Sequence, residues 1–326
     1  MKENRNTRAK EQRSERTIML LLLSLLSLLP LAATAQGYGL QWIHHPQADA
    51  TQQIWFRQDL TLHDPPQEAH LSVASEGRFI VYVNGYHVST DVFSSNPTGI
   101  IAMRNYDVTR FLRQGDNVIG VWYAPVGTRG NEDSWADNSR QLCVSMSGIT
   151  ADGHHFTVNP NKGWLCRAAN ARVTDYGETV DGTKYVSDWN RGPLNLMEWL
   201  PAEITDDGQG GGFRASTKPV IQWKGTQGDF RIKRILKRAK VTQQGRTVIY
   251  NFGEPVHGWA RVTLRGLKKG EAVEVNGLRY IGTGKTDDQA CRRFTTGEAG
   301  IVRILLPAGR SANCISRVEA IEVSNE

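Results

Sequence analysis

The sequence lacks long helical periods of apolar residues. Beyond its first 35 residues, no stretch repeats apolar side chains at the three- and four-residue spacing of an amphipathic helix. Short apolar runs recur instead about every 8–12 residues, between turns rich in Gly, Pro, Asn and Asp. One such run, Arg78–Val83, is followed by the tight-hairpin signal Asn84-Gly85. The pattern predicts an all-β protein built from β-sandwich domains.

The one long apolar run lies at the N-terminus. Residues Met1–Thr17 are polar and basic, and a leucine-rich run follows from Ile18 to Leu31. This run is shorter than the about 18 apolar residues that span a bilayer, and Pro30 interrupts it. Ala33-Thr34-Ala35 is the small-x-small pattern that signal peptidase cuts. We therefore predict a cleavable signal peptide at residues 1–35 and a periplasmic or secreted protein. No cysteine stands at the cleavage point, where Gln36 is the first residue, and this disfavours a lipid anchor.

The sequence also lacks a large net charge. The leader contributes half of the formal net charge of +6, so the remaining 291 residues carry only +3. Nucleic-acid binding needs a clustered basic face, and this balance disfavours it. The one basic cluster, Arg231–Lys240, could bind an acidic polymer such as a uronic-acid glycan, or a membrane surface. A solvated edge strand whose charges block sheet-to-sheet pairing is the favoured interpretation.

The chain after the leader is longer than one domain usually needs. A glycine-rich break falls at Asp206–Gly212, and strand-like runs resume after it. We predict two β domains, at residues 37–215 and 216–326.

Cysteines are few. The sequence contains no C-x-x-C pair, which disfavours zinc and thioredoxin-like redox chemistry. An even number of cysteines outside the cytoplasm permits disulfides. In each half of the chain two cysteines lie 23 residues apart, which favours those two pairings, with free buried thiols as the alternative. The candidates are Cys143 with Cys166 and Cys291 with Cys314.

Motifs of catalysis are absent as well. No G-x-S-x-G elbow supports a Ser-His-Asp nucleophile, and no H-x-x-x-H spacing supports zinc. Gly282–Thr286 resembles the end of a phosphate-binding loop, but Arg279 stands where that motif needs a glycine. Hydrolysis of a glycosidic bond needs two facing carboxylates, and nothing in the sequence pairs the candidates. These candidates are Glu132, Asp133, Asp175, Glu178 and Asp181.

The segment from Trp122 to Asn138 carries the candidate binding residues. A flat aromatic ring stacks on the apolar face of a sugar, while carboxylates and amides hydrogen-bond its hydroxyls. Burial in a sandwich core is the alternative for Trp122. The candidate carbohydrate-binding residues are Trp122, Tyr123, Asp133, Trp135, Asp137 and Asn138.

The order of several segments resembles the N-terminal, non-catalytic part of bacterial α-L-rhamnosidases. Each segment alone is a weak signal of relationship, and their order is what is specific. Together they span most of the chain after the leader. They are Trp42-Ile43, Ile54–Arg57, Phe79–Gly85, Tyr106–Thr109, Gly115–Val121, Tyr176–Thr179 with Asp181, Tyr250–Gly253 and Gly258–Val262.

This resemblance implies a galactose-binding-like jelly roll followed by a second β-sandwich. In that family an (α/α)-barrel follows and carries the acidic catalytic residues. Nothing in this sequence resembles the barrel, so we expect no catalytic residue here. Some jelly rolls of this type bind sugar, sometimes with calcium. The Asp175–Asp181 loop could supply oxygen ligands, although it lacks calcium-loop spacing; we expect no other cofactor.

The leading expectation is therefore an exported carbohydrate-binding accessory protein. Its expected partner is a glycan, in particular a rhamnose-containing polysaccharide, with no nucleic acid and no membrane span after cleavage of the leader. One alternative is a truncated or split α-L-rhamnosidase that needs a separate catalytic subunit. Another is a structural surface module without a sugar site.

Overall fold

The structure, a computed structural model, describes residues 41–95, 100–126, 141–159, 163–205, 220–224 and 230–324. These residues form 24 strands, three single-turn 3₁₀ helices and no α-helix. The all-β prediction is therefore confirmed. The helical turns are Thr109–Phe111, Gly182–Lys184 and Ala312–Cys314. The strands are β1 (Trp42–His44), β2 (Gln52–Leu62), β3 (Pro66–Ala74), β4 (Arg78–Val83), β5 (Tyr86–His87), β6 (Ile100–Asp107), β7 (Gly115–Ala124), β8 (Cys143–Thr150), β9 (His155–Val158), β10 (Leu165–Thr174), β11 (Gly177–Asp181), β12 (Leu200–Pro201), β13 (Glu203–Thr205), β14 (Val220–Lys224), β15 (Arg231–Leu236), β16 (Lys240–Gln244), β17 (Thr247–Asn251), β18 (His257–Arg265), β19 (Ala272–Val275), β20 (Leu278–Ile281), β21 (Asp287–Cys291), β22 (Gly297–Glu298), β23 (Ile301–Leu305) and β24 (Ile315–Ser324).

One long sheet takes part in both sandwiches. Its strand order is β16-β17-β23-β19-β20-β11-β10-β2-β7-β4-β5, with β12 paired to β10. In the first sandwich, the β10-to-β5 part of this sheet packs on a short sheet of order β14-β6-β3-β8-β9. In the second, the β16-to-β20 part packs on another short sheet, β15-β24-β18-β21, with β22 paired to β18. A two-stranded sheet joins β1 to β13.

Alternation along the strands builds the core of the first sandwich. In β7, Val121 and Tyr123 face the short sheet and pack with Phe56 of β2 and Leu71 of β3. Trp122 faces the opposite side of the long sheet, in a second aromatic cluster. Successive side chains of a strand point to opposite faces, so β7 is apolar on both. The long sheet is therefore covered on both sides in the first sandwich.

The two sandwiches meet where β11 and β20 pair in parallel, from Glu178 opposite Leu278 to Asp181 opposite Ile281. Glu178 is fully buried at this junction. Its carboxylate accepts hydrogen bonds from the backbone N–H groups of residues 293–295 and from Gln53 of the first sandwich. One side chain thus ties the second sandwich to the first.

The strand β14 belongs to the first sandwich. It pairs in parallel with β6, from Val220 opposite Ile100 to Lys224 opposite Arg104. The boundary expected between residues 215 and 216 lies in residues 206–219, outside the described ranges, and precedes this strand. Pairing with β6 therefore carries the first sandwich on to Lys224, because a strand belongs with the sheet that satisfies its backbone hydrogen bonds.

The basic cluster lies on two edge strands, β15 and β16, each of which ends its sheet within the described residues. All residues of β16 are exposed, and β15 is exposed up to Ile235. Glutamates neutralise part of the charge: Arg234 pairs with both Glu254 and Glu322, and Lys233 with Glu322. The edge-strand interpretation of the cluster is confirmed.

All four cysteines are free thiols in the structure, so neither expected disulfide is formed. Burial raises the pKa of the Cys143, Cys166 and Cys291 thiols to about 12, and it also raises the pKa of Cys314. A protonated, buried thiol is a poor nucleophile for disulfide exchange. The alternative of free thiols describes this structure, with Cys143, Cys166 and Cys314 buried and Cys291 half-buried.

No helix within the described ranges is long and apolar enough to cross a bilayer.

Candidate functional site

The structure separates the six residues predicted to bind carbohydrate. Trp122 and Tyr123 are 6% and 1% exposed, and both belong to the core. Neither ring can stack on a sugar without rearrangement, so burial, the alternative weighed for Trp122, describes both. Asp133, Trp135, Asp137 and Asn138 lie outside the described residues.

The described residues instead form a cleft at the other end of β7. Its cavity volume is about 370 Å³. Three segments that are distant in the sequence line it: the hairpin between β4 and β5, the loop before β7, and the irregular segment 185–199, which we call the strap. The lining residues are Asn84, Tyr86, Arg113, Asp188, Arg191, Gly192 and Pro193.

The first wall of the cleft is a tight β-hairpin. Asn84 and Gly85 have φ angles of 52° and 82°, as a two-residue turn that matches strand twist requires. Tyr86, the first residue of β5, is 65% exposed. Its ring lies 6.3 Å from the ring of Phe111. The turn therefore presents an aromatic ring to solvent on a rigid support.

Two asparagines fix the second wall. The Asn84 amide donates to Asn117 Oδ1 and to the carbonyl of Phe111, and Asn84 Oδ1 accepts from the N–H of Val118. Asn117 in turn accepts from the N–H of Arg113 and donates to its carbonyl. Asn117 also donates to the carbonyl of Gly115, so the NH₂ groups of both amides are fully hydrogen-bonded. They position the Arg113 loop against the hairpin.

The strap forms the third wall, and it is held down by an aromatic stack and a buried arginine. Trp189 stacks on Trp55 of β2 with ring centroids 5.5 Å apart and planes 13° apart. Arg57 is 2% exposed and donates to the carbonyls of Trp189 and Gly192 at 3.1 and 2.6 Å. Gly120 of β7 lies beneath the strap. The lack of a side chain there lets Trp189 approach the sheet.

Charge in the cleft is mixed, with an excess of one positive charge. Asp188 pairs with Nε of Arg191 at 2.5 Å. Nε of Arg113 donates to the carbonyl of Asp116 at 3.2 Å. Among the described residues, the terminal nitrogens of both guanidinium groups have no hydrogen-bond partner. The cleft therefore offers free donors, one carboxylate and one exposed ring.

The number of carboxylates in the cleft bears on the chemistry it can support. A glycosidase of the usual kind needs two carboxyl groups about 5–9.5 Å apart across the substrate. Asp188 is the one carboxylate among the residues that line the cleft. A ligand can be oriented here by hydrogen bonds and ring contact.

The carboxylates expected to hold calcium do not converge. Glu178 is buried among backbone N–H donors, whereas Asp181 bonds to Thr183 and lies 3.8 Å from the ammonium group of Lys184. Asp175 is exposed in the turn between β10 and β11. Elsewhere in the described ranges no group of three His, Cys, Asp or Glu side chains could hold a metal ion. The three carboxylates of the Asp175–Asp181 loop thus have different surroundings and partners in the structure.

Sequence reasoning interpreted Asn84-Gly85 only as a turn and did not identify the cleft. Arg113, Asp188 and Arg191 belong to segments about 75 residues apart and share no motif. The one local signal was the aromatic residue immediately after the turn, Tyr86. Tertiary contacts bring these groups together.

Fold and site together define a class: an all-β protein of two sandwiches, the first a jelly roll, with an open polar cleft. Residues 64–224 match the α-L-rhamnosidase N-terminal domain. Over this region the chain belongs to that domain family, and it is a homologue of α-L-rhamnosidases. The family match ends at Lys224, where β14 ends.

Curated relatives agree with this assignment. The chain is 24% identical to an α-L-rhamnosidase of Streptomyces avermitilis over 255 residues, which is 72% of this chain and 24% of that protein. It is 26% identical to an α-L-rhamnosidase of Formosa agariphila over 168 residues, which is 48% of this chain and 17% of that protein. The chain thus spans about a quarter or less of the length of these relatives.

Solved structures show the same fold. The α-L-rhamnosidase of Dictyoglumus thermophilum has a TM-score of 0.71 at 19% identity, covering 87% of this chain and 34% of that one. The Aspergillus terreus enzyme has a TM-score of 0.70 at 20% identity, covering 87% and 36%. The Streptomyces avermitilis enzyme, solved with L-rhamnose, has a TM-score of 0.67 at 19% identity, covering 85% and 29%.

Proposed function

We propose that this protein is an exported, non-catalytic accessory module that binds glycans, and that the cleft is its binding site. The observation that carries the proposal is the exposed Tyr86 ring beside free hydrogen-bonding groups of Arg113, Asp188 and Arg191. Sugars are amphipathic in the same way, with an apolar ring face and a rim of hydroxyl groups.

Preorganisation supports the proposal. The Asn84–Asn117 amide pair and the buried Arg57 hold the three walls of the cleft in place. A ligand that meets fixed groups loses less free energy to ordering them, so a small open site can still bind usefully.

The relatives suggest which glycan to test first. They are α-L-rhamnosidases by name, so a rhamnose-containing polysaccharide is the first candidate ligand. The mildly positive charge and the predicted signal peptide at residues 1–35 agree with an extracytoplasmic glycan as partner.

Export itself can be tested. The N-terminal sequence of the exported protein should begin at Gln36, and deletion of residues 1–35 should leave the protein in the cytoplasm.

The test is a glycan array followed by calorimetry, run with calcium and with a chelator. Tyr86→Ala should weaken binding about 3- to 10-fold, because it removes the ring but leaves the hydrogen-bonding groups. Tyr176→Ala is the matched control, since Tyr176 is 74% exposed but does not line the cleft. Binding that survives Tyr86→Ala unchanged contradicts the cleft as the site. If Trp135→Ala abolishes binding instead, the predicted segment from Trp122 to Asn138 carries it.

A screen that finds no glycan at all refutes glycan binding and leaves a structural surface module.

A second function, that of a split α-L-rhamnosidase, is favoured by one observation. The relatives are α-L-rhamnosidases, and this chain aligns with 24% and 17% of their lengths. Under this proposal a separately encoded (α/α)-barrel supplies catalysis. Hydrolysis of a chromogenic α-L-rhamnoside should then be absent for this chain alone and appear on mixing with such a barrel. No gain of activity on mixing argues against it.

A further inference from the structure

We infer that the cleft selects acidic glycans, with Arg113 and Arg191 receiving the carboxylate of a uronic-acid residue. This inference rests on the proposed glycan binding at the same cleft and specifies its ligand class. Its starting point is that the cleft holds two guanidinium groups and one carboxylate.

Both guanidinium groups are oriented and still have donors to spare. Nε of Arg191 is held by Asp188, and Nε of Arg113 is held by the carbonyl of Asp116. Each arginine keeps its two terminal nitrogens free of any partner within the described ranges. A guanidinium group presents these N–H donors in a fixed plane, which matches the two oxygens of a carboxylate.

The side chain of Arg191 and the backbone of Arg113 are also restrained. The side chain of Arg191 packs over Gly85, where an added Cβ would lie 2.9 Å from Arg191 Cδ. Asn117 holds the backbone of Arg113 on both its N–H and its carbonyl. Less side-chain entropy is therefore lost when a ligand binds.

The composition of the cleft favours an acidic sugar over a neutral one. A neutral glycan could use Tyr86 and Asp188 but gives two cationic groups no charge partner. A uronic-acid residue uses all four groups: its ring face on Tyr86, its hydroxyls on Asp188 and its carboxylate on the arginines. Because the groups are exposed, the attraction should weaken as salt screens it.

The experiment compares acids with neutral counterparts of the same backbone by calorimetry. One pair is trigalacturonate and its methyl ester, and the other is a glucuronate-terminated disaccharide and its glucose counterpart. At low salt, at least one acid should bind about tenfold or more tightly than its neutral counterpart. Arg113→Gln and Arg191→Gln should each lower acid binding about 5- to 10-fold and lower neutral binding by a smaller factor, because a neutral glycan loses a hydrogen bond but no charge pairing.

Matched variants distinguish an effect at the cleft from a general effect of net charge and from a loss of folding. Arg238→Gln removes the same charge from an exposed arginine on the second sandwich and should have no effect. Arg191→Lys keeps the charge but not the planar donor pair, and should recover less than half of the lost binding energy. Thermal unfolding midpoints within about 2 °C of the wild type show that the variants fold.

Acid and neutral probes that bind equally overturn the inference. The proposed function then still stands if the array shows Tyr86-dependent binding of neutral glycans. If no glycan binds, both the inference and the proposed function fail.

Discussion

Glu178 is a fully buried carboxylate whose two oxygens face only donors. Oε1 accepts from the backbone N–H groups of Phe294 and Thr295 at 2.7 Å, and Oε2 accepts from Nε2 of Gln53 at 3.1 Å. The N–H of Arg293 lies within 3.1 Å of both oxygens. A buried carboxylate is stable here because each lone pair has a partner.

Glu178→Gln should destabilise the protein by about 2–4 kcal/mol. The new amide must point its NH₂ at a donor whichever way it is placed, so at least one hydrogen bond becomes a clash. Urea unfolding measures the loss. Glu274→Gln is the control, because Glu274 is exposed and its side chain lies 3.8 Å from Arg279 in a long ion pair. Equal stability of the two variants would contradict the role assigned to Glu178.

The four thiols provide a second prediction at this scale. With pKa values raised by burial, Cys143, Cys166 and Cys291 should react with a thiol reagent at pH 8 far more slowly in the folded protein than after unfolding. All four thiols should titrate in denaturant without a reductant. A titre of two or none would show that disulfides form in the purified protein.

Among the elements, the strap is held to the sheet by contacts that allow no extra atom beneath it. A Cβ at Gly120 would lie 2.8 Å from Cβ of Asn190 and 2.9 Å from the ring of Trp189. That ring is also stacked on Trp55, so it has no room to withdraw. A glycine in a buried strand therefore serves the strap and, through it, one wall of the cleft.

Gly120→Ala should cost about 1–3 kcal/mol of stability by forcing the strap away from the sheet. Glycan binding at the cleft should weaken in the folded variant, because Asp188 and Arg191 would be displaced together with Trp189. Gly297→Ala is the control: its nearest neighbour is the end of the flexible Arg292 side chain at 3.4 Å. Unchanged stability and binding in Gly120→Ala would contradict this account.

In the whole molecule, the long sheet runs through both sandwiches, so they share backbone hydrogen bonds as well as side-chain contacts. The second aromatic cluster, which contains Trp122, also spans the junction. In it, Trp55 and Trp122 pack with Trp259 and Phe294 of the second sandwich. All residues of both sandwiches that the structure describes fall in one compact unit.

Thermal unfolding should therefore show one cooperative transition, with calorimetric and van't Hoff enthalpies that agree. Neither sandwich can unfold without exposing part of the shared cluster and breaking the β11–β20 pairing. Two resolved transitions, or different midpoints from fluorescence and circular dichroism, would show that the sandwiches unfold independently.

Much of the fold could be predicted from local pattern. Alternation and β-branched runs such as Arg78–Val83 indicated strands, and Asn84-Gly85 indicated the hairpin that the structure contains. The edge position of Arg231–Leu236 was also foreseeable, because repeated charges suit an unpaired edge. The place of β14 was not, because its parallel pairing with β6 joins residues 120 apart.

The sequence by itself determined the all-β class, the turns and the relationship to α-L-rhamnosidase N-terminal domains, because these depend on local propensity and on the order of segments. Only the tertiary structure decided which polar groups meet. Trp122, one of the residues predicted to contact sugar, is buried because both faces of its sheet are covered. Tyr86 is exposed because its hairpin ends at the cleft, beside arginines that the chain supplies from distant loops.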